Sequence, residues 1–173
     1  MNRTGSHGMS SPSPEARLLI VWHGRTGASE ALAGAVAAGA GAQGRLISAE
    51  ECGPDDLLAA AGFVFVAPEN LGALSGLMKD LFDRCYYPLL GRVEGRAYAT
   101  VIAAGSDGSG AQRQLDRIVT GWRLRRVAEP LIARLGAQSP AEIAAPKAVA
   151  PADREAARQI GEALATGLAL GIF

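Results

Sequence analysis

An apolar strand, a short glycine-bearing loop and a helix start follow one another between Leu18 and Ser29, and this unit constrains the chain most. Leu18-Leu19-Ile20-Val21-Trp22 is apolar throughout, His23-Gly24-Arg25-Thr26-Gly27-Ala28-Ser29 is small and polar, and the alanine-rich run 30–40 reads as a helix. A continuous apolar run fits a strand covered on both faces, as in a parallel sheet. The loop offers backbone N–H groups at a helix N-terminus, where the helix dipole favours an anion. Thr26 and Ser29 add hydroxyl donors, and Arg25 adds a positive charge. Two readings fit these residues: a cradle for a phosphate group, or an ordinary strand–turn–helix with Ser29 as N-cap.

Strand and helix patterns alternate along the rest of the chain, which points to α/β architecture. Strands are expected at about 17–22, 44–47, 62–67, 96–104 and 127–133. Helices are expected at about 29–39, 55–61, 74–85, 110–122 and from Pro151 onward, with 135–150 as a proline- and alanine-rich connector. The second strand is short, and the fifth carries Pro130, a residue that belongs at a sheet edge. Order 2-1-3-4-5 puts both weak strands at the edges. The prediction is a three-layer, doubly wound, five-stranded parallel sheet in that order, with a ligand crevice at the carboxyl ends of strands one and three.

A chain of 173 residues fits one domain, expected here at 17–173 after a disordered polar tail at 1–16. Lys+Arg and Asp+Glu balance at 17 each, which argues against a dedicated nucleic-acid binder and against a strongly acidic protein that finds partners by charge steering. No apolar run reaches the roughly 18 residues of a membrane span, and the N-terminus has no signal-like apolar core. Cys52 and Cys85 form neither a metal spacing nor a disulfide framework, so both read as reduced thiols of a cytoplasmic protein. No metal site and no membrane partner are expected.

Three segments would emerge together at one end of such a sheet: His23 to Ser29, Pro68-Glu69-Asn70-Leu71-Gly72-Ala73-Leu74-Ser75, and Gly105-Ser106-Asp107-Gly108-Ser109-Gly110. Gly24-Arg25-Thr26-Gly27-Ala28-Ser29 is similar to the phosphate loop of the flavodoxin-like flavoprotein superfamily. Pro68 to Gly72 with the run Leu74 to Arg84, and then Ala104 to Gly110, resemble the second and third flavin loops of its NAD(P)H-dependent FMN reductase and quinone reductase branch. The resemblance covers about Leu18 to Ile132. It departs from the pattern at Gly24, where a hydroxyl residue is usual, and at Asn70-Leu71, where reductases often carry Tyr-Asn.

The resemblance implies FMN as cofactor and NAD(P)H as co-substrate. It implies a cofactor-binding set of His23, Gly24, Arg25, Thr26, Gly27, Ala28, Ser29, Pro68, Glu69, Asn70, Leu71, Gly72, Gly105, Ser106, Asp107 and Gly108. No catalytic side chain is expected, because flavin carries its own chemistry. Some roles stay open between two readings. His23 either contacts the phosphate or ribityl chain or makes a local hydrogen bond. Glu69 either places a carboxylate near the flavin or satisfies loop N–H groups. Asp107 is either a flavin contact or a loop cap.

The second and third loops contain no aromatic residue, leaving a ring face open to a nicotinamide or a quinone. Tyr86, Tyr87 and Trp122 are the nearest candidates for ring cover. With Leu77, Leu81 and Phe82 they form an apolar set too large for one core, which marks an interface and predicts a homodimer or tetramer. The partner implied is a small-molecule electron acceptor. The rival readings are a flavodoxin-type electron-transfer protein that does not use nicotinamide, and a flavin-empty binding or regulatory module.

Overall fold

Successive side chains of a strand point to opposite faces, and in β1 (Leu18–Trp22) this divides one apolar run between two cores. Leu19 and Val21 pack with Phe63, Phe65 and Ile102 on one face. Leu18 and Ile20 pack with Val64, Val66 and Val101 on the other. The computed structural model describes residues 18–173, so the tail expected to be disordered at 1–16 lies outside the described residues.

After β1 come α1 (Ala28–Ala40), β2 (Gly44–Ser48), α2 (Pro54–Ala59), β3 (Gly62–Asn70), β4 (Ala73–Leu74), α3 (Gly76–Leu89), β5 (Ala97–Ala104), α4 (Ser109–Gly121), β6 (Arg125–Arg126), β7 (Leu131–Arg134), α5 (Pro140–Ala144) and α6 (Pro151–Ala169). The sheet runs β2-β1-β3-β5, with β6 and β7 both paired to the outer side of β5; these pairings are all parallel. Helices α2, α3 and α4 contribute to the first core and α1 and α6 to the second, which gives three layers.

The α/β doubly wound class holds, but the expected five strands in order 2-1-3-4-5 are corrected to seven in two respects. The expected strand at 127–133 is broken. Ala97 faces Arg125 but Val101 faces Leu131, so the register slips by two residues between β6 and β7. The interruption contains Pro130, which has no N–H to give to the ladder. The expected strand at 62–67 continues to Asn70 and folds back on β4 as a small antiparallel hairpin. The proline- and alanine-rich connector also contains a helix, α5, capped reciprocally by Ser139 and Glu142.

Helices α1 and α6 cross closely because glycines stand at the crossing. A Cβ on Gly39 would lie 1.8 Å from the Arg158 carbonyl oxygen, and one on Gly161 would lie 2.0 Å from that of Val36.

The apolar set expected at one interface separates. Leu81, Phe82 and Trp122 are core residues, with the Phe82 and Trp122 rings 5.1 Å apart. Tyr86, Tyr87 and Leu90 stay exposed. They lie toward the far end of α3, about 15–21 Å along the helix axis from its start near the carboxyl ends of the strands. Neither these tyrosines nor Trp122 can cover a ligand bound at that end of the same chain.

Candidate cofactor site

A cleft of about 680 Å³ opens at the carboxyl ends of β1, β3 and β5, within the size range of cofactor sites. The first loop brings Arg25, Thr26, Ala28 and Ser29 to it. The second brings Pro68, Glu69, Asn70, Leu71 and Gly72, and the third Gly105 and Ser106. His23, Gly24, Gly27, Asp107 and Gly108 do not line it.

The first loop ends at an open helix terminus. Gly27 adopts φ 91° before α1, and no side chain caps the helix there. The first N–H groups of an α-helix have no intrahelical acceptor, so this terminus faces the cleft with donors to spare. The Thr26 and Ser29 hydroxyls lie beside it. Gly24 supports this arrangement: a Cβ there would meet the Ser29 Cβ at 2.9 Å. The hydroxyl residue usual at this position is thus excluded by the packing of Ser29. Among the described residues the cations in ion pairs are Arg45, Lys79, Arg84, Arg123, Arg126 and Arg158, which leaves Arg25 without a carboxylate partner.

The second loop is the β3–β4 hairpin. Leu71 and Gly72 form its two-residue turn at φ 54° and 71°, the positive pair that a type I′ turn requires. The hairpin is fastened to α4. Gly108 N–H donates to Glu69 Oε1 at 2.9 Å, Ala111 N–H donates to Glu69 Oε2 at 3.0 Å, and Leu74 N–H donates to Gln114 Oε1 at 2.7 Å. Gly110 lets the two elements touch, since a Cβ on it would fall 2.0 Å from the Gly72 carbonyl oxygen. Glu69 therefore satisfies loop N–H groups while still lining the cleft, and the N-terminus of α4 is closed by the chain's own carboxylate.

Two residues whose roles were open have partners outside the cleft. The Ser109 hydroxyl donates to the Asp107 carboxylate and holds that carboxyl below its usual range. His23 Nδ1 lies 2.9 Å from the buried Ser75 Oγ. Burial pulls the His23 imidazole below its ordinary 6.5, opposed by Glu50 and reinforced by Arg25.

A fourth wall comes from the connector, which sequence reasoning passed over. It leans on both neighbouring loops. Ala137 O lies 2.8 Å from where a Gly105 Cβ would stand, and Lys147 N–H donates to Thr26 O at 2.7 Å. Leu135, Ala137, Ile143 and Lys147 line the cleft, and Ala103 and Ala104 of β5 complete the lining. The Ser139-Pro140 step followed by Glu142, a helix-start pattern, was the available signal for α5.

The cleft can therefore take one anionic group at α1 and a largely uncharged body between the hairpin and the connector. Its lining has no aromatic residue. Among the described residues no cluster of His, Cys, Asp and Glu could hold a metal ion, and no helix is long and apolar enough to cross a membrane.

Comparison with known proteins agrees with this geometry. Residues 54–133 match the family described as NADPH-dependent FMN reductase. A protein named flavodoxin from Aquifex aeolicus is 31% identical over 108 residues, a match that spans 60% of this chain and 58% of that protein. Among solved structures, a WrbA-like flavodoxin from Agrobacterium tumefaciens superposes with a TM-score of 0.72 at 19% identity, covering 88% of this chain and 97% of that one. The rubredoxin:oxygen oxidoreductase of Desulfovibrio gigas gives 0.70 at 14% identity, over 92% of this chain and 38% of its own. The fold is flavodoxin-like. The match to the NADPH-dependent FMN reductase family lies across α2 to β7, the part of the chain that carries the second and third loops of the cleft.

Proposed function

We propose that this chain is an FMN-dependent oxidoreductase that accepts hydride from NAD(P)H and reduces a quinone, a flavin or another small acceptor. The observation that carries the reading is the pairing of an uncapped α1 terminus with a cleft free of aromatic side chains. FMN, when bound, supplies hydride acceptance and electron release. This chain's residues bind and orient it.

The α1 N–H groups, with Thr26 and Ser29, suit a single phosphate, and Arg25 adds charge. Among the described residues, the nearby N-terminus of α4 is closed by Glu69, so it offers no second open terminus to a further phosphate. An uncovered ring face leaves room for a nicotinamide or a quinone to stack. The second reading is an electron carrier that does not use nicotinamide, favoured by the Aquifex relative's name, flavodoxin.

Identification of any cofactor released on heat denaturation tests the binding step. FMN is expected. FAD would overturn the single-phosphate argument, and protein that neither carries nor takes up flavin would favour a flavin-empty binding role. Steady-state NAD(P)H oxidation with a quinone then separates the two redox readings, since an electron carrier would show none. Thr26→Ala and Arg25→Ala should each weaken FMN by about 1.5–3 kcal/mol while leaving riboflavin unchanged. Equal losses for both ligands would mean that these residues do not meet a phosphate.

A further inference from the structure

The connector between β7 and α6 carries two side chains whose placement the fold itself does not require. The first is Lys147. Its ammonium donates to the carbonyl oxygens of Glu142, Ile143 (3.0 Å) and Ala145 (2.6 Å), which fixes it at the end of α5. Its own N–H is bonded to Thr26 O, in the loop that leads into the open α1 terminus. The neighbouring carboxylate, Glu142, is turned to the N–H groups of Gln138 and Ser139. Lys147 forms no ion pair among the described residues and lines the same cleft as Arg25.

The second is Ile143. It is 55% exposed, on a helix that buries no residue, yet it lines the cleft. A large aliphatic side chain left open on a short surface helix gains nothing from the core. At a cofactor cleft it gains contact area when the cleft fills.

We propose that this connector is a working wall of the flavin site. Lys147 supplies, with Arg25, the positive potential that holds the phosphate dianion, and Ile143 supplies apolar contact to the flavin ring system. The proposal rests on the FMN-binding reading above. All three donors of Lys147 are engaged by carbonyls, so it acts on the phosphate through its field and not by direct donation. The Ser139–Glu142 capping box and the bond from Lys147 N–H to Thr26 O hold α5 and the connector without the ammonium, so Ile143 keeps its place when the charge is removed.

The test is the affinity of flavin-free protein for FMN and for riboflavin, read by quenching of flavin fluorescence, in the parent, Lys147→Met and Ile143→Ser. Lys147→Met should weaken FMN by about tenfold and leave riboflavin within about twofold. The salt dependence of FMN binding should become shallower in this variant, because one charge of the site is gone. Ile143→Ser should weaken both ligands equally, by about fivefold. Equal loss of both ligands in Lys147→Met, with an unchanged salt slope, would make Lys147 a structural clip and overturn its electrostatic role. Unchanged affinities in both variants, with a parent that binds FMN, would overturn the connector alone. A parent that binds neither flavin would overturn the function reading, and the connector's role with it.

Discussion

Glu69 is placed to decide whether the second loop of the cleft is rigid. Its carboxylate accepts from Gly108 N–H at 2.9 Å and from Ala111 N–H at 3.0 Å, so it both closes the N-terminus of α4 and anchors the hairpin that carries Leu71. Hydrogen bonds to a charged group contribute about 1.5–3 kcal/mol each. Glu69 is half-buried, so the low end applies, and two such bonds give about 3 kcal/mol. Water reaching the freed N–H groups at the rim returns part of this, leaving a net loss of about 2 kcal/mol for Glu69→Ala. With a urea slope of about 2 kcal/mol/M the midpoint should fall by about 1 M, and the melting temperature by about 4–8 °C. Glu69→Gln keeps one acceptor but turns an amide NH2 toward a helix N–H, so it should recover less than half of the loss. Asn70→Ala, next along the chain with an exposed side chain, should stay within about 0.5 kcal/mol of the parent. A Glu69→Ala protein that unfolds within about 0.5 kcal/mol of the parent would refute the anchoring argument.

Leu71 is fully exposed at φ 54°, a conformation that costs a leucine about 1–2 kcal/mol. Leu71→Asn should therefore raise stability by about 1 kcal/mol in the flavin-free protein, as measured by denaturant unfolding. Because the folded-state pKa of His23 is depressed by burial, its contribution is fully present above pH 6.5 and is lost as pH falls through the folded value; His23→Gln should flatten that part of the stability–pH curve. Burial pushes the Cys52 thiol up to about 12 and also raises Cys85, so the Cys52 thiolate fraction at pH 8 is about one in ten thousand. An aromatic disulfide reagent should label neither cysteine until guanidinium is added. The exposed Tyr86, Tyr87 and Leu90 should drive self-association; light scattering that gives only the monomer mass up to high micromolar concentration would remove that expectation.

The sheet order was legible because the strands differ in how thoroughly they are buried. Leu18–Val21, Phe63–Ala67 and Ala97–Ala104 are buried on both faces and occupy the three central positions. Gly44–Ser48 is polar and half-exposed, and it takes an edge. Less visible was anything set by one residue's partner far away in sequence. No local pattern shows that Glu69 reaches Ala111, that Ser29 occupies the space of a Gly24 side chain, or that residues 137 and 147 rest on two loops from other strands. The hairpin was also hidden, because Leu at the first turn position is a poor I′ residue, and Pro68 read as the end of the strand.

The N-termini of α1 and α4 show how far local sequence can mislead about a ligand. Each follows an apolar strand and a loop of glycine, serine and other small residues, and each helix begins after a glycine with positive φ, at 91° for Gly27 and 84° for Gly108. By the dipole argument both are anion sites. Only one remains open. At α4 the anion is already present as Glu69, placed there by a β3 three residues longer than its apolar run and by the absence of a side chain at Gly110. At α1 no carboxylate arrives, and Arg25 and Lys147 line the same cleft. A ligand with two separated phosphates would have to displace Glu69 and the hairpin with it. One with a single terminal phosphate meets donors at one end of the cleft and small, uncharged walls at the other. That asymmetry comes from tertiary contacts alone, and on the FMN reading proposed above it favours a flavin with one terminal phosphate.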